Sequence, residues 1–215
     1  MPEELTREEI HEKLDRLVEE RLAPLVQEPP VDAVYLARQR LHLSLELDPD
    51  AEEEARQLQA AQAIARHWQP DALSALGVDP HARRPMLGQS LVGLLVDRLL
   101  LPTRWLREAG QGSGWDLTQL RETFATAGAE RIALRLLDLA EPCIITLIEN
   151  GQVAKRRSNA WRVSRTLSPV EQEVQREVQR YSRPVVRNEA GWRVQGWPLH
   201  ELDWRREILR SVIEE

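Results

Sequence analysis

The feature that most constrains this chain is the run from Leu87 to Leu101, rich in leucine and valine and broken by Gln89, Ser90, Asp97 and Arg98. It reads as a strongly apolar helix, and Pro102 stops it because proline removes a backbone donor and clashes with the preceding turn. A helix apolar on most of its sides belongs inside a packed domain. At 215 residues the chain is long enough to bury a real core, as one domain or as a domain with an appendage.

The flanking segments supply helices of the amphipathic kind. Ile10, Leu14, Leu17, Val18, Leu22 and Leu25 fall on one face of a first helix, Thr6 and Glu9 have the spacing of a capping box, and Pro29 with Pro30 ends it. A short helix over PVDAVYLARQR follows. Next, LHLSLEL alternates Leu41, Leu43, Leu45 and Leu47 with His42, Ser44 and Glu46, the pattern of a half-buried strand. A helix then starts near Asp50 and runs through EEEARQLQAAQAIARHW, its acidic first turn suited to the positive end of the helix dipole. ALSALGVDPHARRP reads as a short helix and loop, and Gly110 to Gly114 as a flexible break. Asp116 caps a helix that turns Leu117, Leu120 and Phe124 inward, and a turn at Gly128 leads to a helix burying Ile132, Leu136 and Leu139.

The last third changes character. PCIITLIENGQVAKRRS is a hairpin, with Asn150 and Gly151 marking a type I′ turn. Ser168, Pro169 and Glu171 open a helix that runs through Tyr181, since serine caps, proline suits the first helical position and glutamate can close the box. PVVRNEAGWRVQGWP reads as a second hairpin and DWRREILRSVIEE as a terminal helix.

Composition excludes several classes of function. The net charge of −6 opposes general binding of polyanions, because nucleic-acid affinity draws heavily on phosphate neutralisation. A single cysteine, Cys143, rules out an internal disulfide and a cysteine-rich zinc site, and within CIITLI it reads as a small buried apolar residue. The charged N-terminus has no apolar signal core, and no run approaches the roughly 20 apolar residues of a membrane span, so a cytoplasmic protein is expected. Serine-type nucleophiles, glycine-rich phosphate loops and paired catalytic carboxylates do not appear as recognisable motifs.

SLVGLLVDRLLLPTRWLREA, Ser90 to Ala109, followed by DLTQLRETFATAGAERIALRLLDL, Asp116 to Leu139, resembles the corresponding part of the ImmA/IrrE family of zinc metallopeptidases. The opening order of helix, PPVD, helix and strand is similar to that family as well. The resemblance implies an α+β fold: a mainly helical, zincin-like domain with a small sheet over residues 1–140, and an α+β extension with hairpins over 141–215. It also implies where chemistry would sit. The family's HExxH helix falls on AQAIARH, which puts Gln62 at the first ligand, Ala63 at the general base and Arg66 at the second ligand, while the ligand glutamate of the apolar helix falls on Leu91. Glutamine is a poor zinc ligand, alanine cannot take a proton and a guanidinium repels a dication. Only about a dozen residues separate the first strand from this helix, too few for the strand pair that active relatives place there.

No zinc and no other cofactor are therefore expected. Arg66 is expected to stand in for the metal's charge and pair within the old cleft, and His67 is a candidate cleft residue without a partner histidine at helical spacing. Active relatives cleave repressor-type transcription factors, so the resemblance implies a non-catalytic protein-binding or regulatory module whose partner is a regulator or a paralogue. Trp192, Trp197 and Trp204 are candidate partner-binding residues, because tryptophan and arginine dominate binding hot spots. They equally suit a small C-terminal core. Two alternatives stand: an active zinc endopeptidase with ligands elsewhere, and a DNA-binding regulator using the helix pair 117–139, where Arg131 and Arg135 lie one turn apart. Nucleic acid and membrane are not expected partners.

Overall fold

Thr6 starts the first helix as its spacing with Glu9 predicts. The threonine hydroxyl accepts from the Glu9 N–H, the Glu9 carboxylate accepts from the Thr6 N–H, and α1 runs Arg7–Leu22. The computed structural model describes residues 5–80, 85–199 and 204–214, and within them the protein is α+β. After α1 come α2 (Ala33–Tyr35), continued by a π-helical turn, then α3 (Glu53–Ala75), α4 (Pro85–Leu100), α5 (Thr103–Ser113), α6 (Leu117–Thr123) and α7 (Ala129–Arg135). The rest is β1 (Ile144–Glu149), β2 (Gln152–Ser158), α8 (Pro169–Tyr181), β3 (Val185–Glu189), β4 (Trp192–Pro198) and β5 (Arg206–Ile213). Among the described residues no helix is long and apolar enough to cross a membrane.

The chain forms two compact units. One holds the described residues up to Gly112 together with Arg121–Gly128, and the other holds Ser113–Leu120 and the described residues from Ala129 onward. This division lies earlier than the 140/141 boundary read from the sequence, because α7 packs on β1 and β5 and buries Ile132 and Ala133 within the second unit.

In the first unit, α3 packs on α4 and α1 packs on both. Ala60, Ala61 and Ala65 keep the buried side of α3 low, and Ile64 and Trp68 fill the remaining space. Arg98, enclosed on α4, lies with its Nε 2.8 Å from the Asp15 carboxylate, which also accepts from the Thr103 hydroxyl at 2.7 Å. That cluster ties α1, α4 and α5, and the ion pair is what makes a buried guanidinium tolerable. The buried Gln57 is a second fastening. Its amide oxygen accepts from the Ala33 N–H at 2.7 Å, and its amide nitrogen donates to Asp32 at 3.0 Å and Glu53 at 2.8 Å.

Three sequence expectations change here. Residues 41–47 alternate, with Leu41, Leu43, Leu45 and Leu47 half-buried and His42, Ser44 and Glu46 exposed, but they form no strand among the described residues, and His42 takes a positive φ of 52°. Alternating burial records one dry side and one wet side of the chain, and it does not require a ladder partner. The helix after Asp50 continues through Pro70 to Ala75, and the expected break at Gly110 is instead helical, with Gly110 buried in α5. Residues 81–84 of the expected loop lie outside the described residues.

The second unit is an antiparallel sheet in the order β2-β1-β5-β4-β3. Asn150 and Gly151 both take positive φ, as the β1–β2 hairpin requires, and Ala190 with Gly191 do so between β3 and β4. Helix α8, with the expected capping box of Ser168 and Glu171, lies on one sheet face. Ile148, Val170, Val174, Val178, Val194 and Leu209 make the core between them. Gly196 allows this approach, since a Cβ there would meet Val174 Cγ1 at 2.6 Å and Val178 Cγ2 at 2.8 Å.

The segment read as a terminal helix is β5, seated between β1 and β4. Glu207 to Ser211 are buried without a break. A central strand covered on both faces shows no period-two alternation, so its pattern does not announce a strand.

Candidate functional site

The positions that the resemblance assigns to zinc do not assemble a metal site. Helix α3 buries Gln57, Ala60, Ala61, Ile64, Ala65, Trp68 and Ala72, a stripe at helical spacing. Gln62 and Ala63 sit half-buried beside that stripe, and Arg66 and His67 are exposed away from it. Leu91 on α4 is 2% exposed and presents hydrocarbon. An amide, a methyl, a guanidinium and an isobutyl group offer a dication no adequate donor set. Among the described residues no three His, Cys, Asp or Glu side chains converge as a ligand group. The expectation that Arg66 pairs within a cleft is also corrected. Its guanidinium makes no ion pair or hydrogen bond with the described residues, because its place on α3 turns it to solvent.

The helix pair over 117–139 does not present the two arginines singled out there. Arg135 is 2% exposed and lies 3.2 Å from Asp138, while Arg131 is half-buried. Arg135 serves packing at the end of α7. The tryptophans separate by burial in the same way. Trp197 is buried in β4, so its expected role as a binding residue gives way to a core one. Trp192 is half-buried against the α8 core, with the Trp161 ring set edge-on at a centroid distance of 6.4 Å. Trp204 alone of the three candidates is exposed, with the Arg206 guanidinium 5.6 Å from its ring centroid.

Two buried polar clusters hold the second unit together. Glu171 receives Arg156 through both carboxylate oxygens at 2.8 and 3.0 Å, the Ser211 hydroxyl at 2.6 Å and the Ser168 N–H at 2.8 Å. Burial alone would raise its pKa, but the hydrogen bonds from Arg156, Ser211 and Ser168 outweigh that and hold it below its ordinary value. On the other sheet face, Arg210 donates to Gln195 at 2.9 Å and lies 5.2 Å from the Trp115 ring centroid, and Gln195 donates to the Gly114 carbonyl at 3.0 Å. Cys143 is buried as expected, and burial pushes its thiol up to about 11, which leaves it protonated and inert at neutral pH.

The C-terminal end of α8 carries an arrangement that sequence reasoning passed over. Tyr181, half its surface exposed, has the Arg180 and Arg183 guanidiniums 5.3 and 5.4 Å from its ring centroid. Arg176, one turn before Arg180, is exposed on the same helix. These residues, with Arg187, Glu173 and Glu177, line an open concavity of about 740 Å³. Arg187 is paired with both glutamates and with Glu189. Neither Arg180 nor Arg183 has a carboxylate partner among the described residues. The signal was present as QREVQRYSR, arginines at helical spacing around a tyrosine, but the general excess of arginine over lysine hid it.

No protein-family model matches the chain, and no curated protein matches it. It is similar to a solved structure described as a Mycobacterium tuberculosis transcriptional regulator. The likeness has a TM-score of 0.64 at 20% identity and covers 96% of this chain and 80% of that one. At that identity it shows a shared fold.

Proposed function

We propose that this protein is a non-catalytic regulator of transcription that works by binding a macromolecule. The observation that carries the reading is the likeness along 96% of the chain to a structure described as a transcriptional regulator, which takes in both compact units. The sequence resemblance supports it from another direction. The sequence of residues 90–139 resembles that of ImmA/IrrE peptidases, whose active members act on repressor-type transcription factors, while Gln62, Ala63, Arg66 and Leu91 would leave no metal ligand and no general base in the expected places. A resemblance to a peptidase without its chemistry suits recognition without cleavage. The test is removal of the gene followed by transcript profiling. A limited set of transcripts should change and be restored by the intact chain. An unaltered profile, or a purified protein that hydrolyses a regulator, would overturn the reading.

A further inference from the structure

We infer that the C-terminal end of α8 is a binding site for single-stranded nucleic acid, with Arg176, Arg180 and Arg183 on phosphates and Tyr181 offering a stacking surface to an unpaired base. Charge in the concavity is paired on one side and open on the other. Glu173 and Glu177 share the single guanidinium of Arg187, which leaves one negative charge there, and Arg176, Arg180 and Arg183 bring the lining as a whole to a net positive charge. The guanidiniums of Arg180 and Arg183 have no carboxylate partner among the described residues, and both lie close to the Tyr181 ring. Cations already paired add little to anion binding, whereas cations held in place without an anion are preorganised for one.

Magnitudes favour the site despite the acidic chain. The net charge of −6 is spread over the whole molecule, and at physiological salt fields are screened over about 8 Å, so a ligand here feels mainly the charges of the lining, where arginines outnumber glutamates. The carbonyl end of α8 opposes an anion with only about half a charge, confined to the last turn. Ser182, in the left-handed conformation, already caps part of it by donating its N–H to the Val178 carbonyl at 2.9 Å.

Tyr181 decides between kinds of nucleic acid. A half-exposed ring with guanidinium planes close over it forms an aromatic and guanidinium platform on which only unstacked bases can lie, and a duplex keeps its bases stacked inside. Arg176 and Arg180 stand about 6 Å apart along the helix axis, a reach suited to neighbouring phosphates of an extended strand. A phosphorylated peptide would use the arginines and leave the ring idle.

The inference takes its biological setting from the regulatory reading, yet the two can fail separately. The full-length chain is titrated with a short labelled oligothymidylate, with the same strand in a duplex, and with a phosphoserine peptide as competitor. Single-strand binding should weaken roughly tenfold or more in R180A/R183A, with the salt slope reduced by about 0.7 for each phosphate that is no longer neutralised. Tyr181→Ala should weaken it by roughly tenfold at an unaltered salt slope, and Tyr181→Phe should restore it. These side chains are exposed, so thermal midpoints should match the parent's. Absence of binding by the parent chain, parent-like binding by R180A/R183A, equal affinity for the duplex with Tyr181→Ala neutral, or full displacement by the peptide would each overturn the inference. If R180A/R183A binds the oligonucleotide as the parent does and restores the transcripts of the gene deletion, the site falls and the regulatory reading stands. If deletion changes no transcript but the oligonucleotide binds through these residues, the reverse holds.

Discussion

At Glu171 a buried carboxylate accepts four hydrogen bonds, two from Arg156 and one each from Ser211 and Ser168. Replacing it with glutamine leaves the Arg156 guanidinium enclosed without its counter-charge, and Glu171→Gln should cost about 3–5 kcal/mol in denaturant unfolding. Because its folded pKa lies below the unfolded value, the carboxylate's stabilisation is complete above the ordinary carboxylate range and is lost as pH falls through the folded pKa. Thermal midpoints of the parent chain should therefore drop on acidification below about pH 4.5, more steeply than those of Glu171→Gln. Parallel pH profiles would remove Glu171 from this role. Burial also separates the tryptophans. Trp197→Ala should cost about 3–5 kcal/mol by opening a cavity. Trp204→Ala, at an exposed position, should leave the midpoint within about 0.5 kcal/mol of the parent.

At the scale of elements, segments whose signal is local follow the sequence closely. The capping boxes at Thr6 and Ser168 and the Asn150-Gly151 turn are set by groups three residues apart or nearer, and all three form as read. Segments whose state depends on distant neighbours depart from it. Residues 41–47 have the alternation of a strand without the ladder, and β5 has the ladder without the alternation. Since β5 joins the β1–β2 hairpin to the β3–β4 hairpin, a chain ending before Trp204 should lose the sheet's slow hydrogen exchange throughout β1 and β4. Native-like protection of β1 and β4 in that shortened chain would show that the hairpins hold without their central strand.

For the whole molecule, the side chains at the positions that the sequence resemblance assigns to zinc bear directly on metal content. The untagged protein should contain far less than one zinc per chain by elemental analysis, and one tightly held zinc per chain would revive the peptidase alternative. What the sequence determined by itself was what neighbouring residues decide: the presence of the main helices of the first unit, the caps at Thr6 and Ser168, the Asn150-Gly151 turn and the α+β class, though not every helix end, since α3 runs on through Pro70 and α5 through Gly110. Only the tertiary structure decided which charges are already paired. Arg66 and Arg135 look equivalent in the chain, yet one stands in solvent and the other is enclosed beside Asp138, because the buried stripe of each helix depends on what packs against it. The same holds at α8, where Arg187 is engaged by Glu173 and Glu177 while Arg180 and Arg183 flank Tyr181 at the surface. Ion pairing and burial are properties of spatial neighbours, and composition counts arginines without saying which of them remain available.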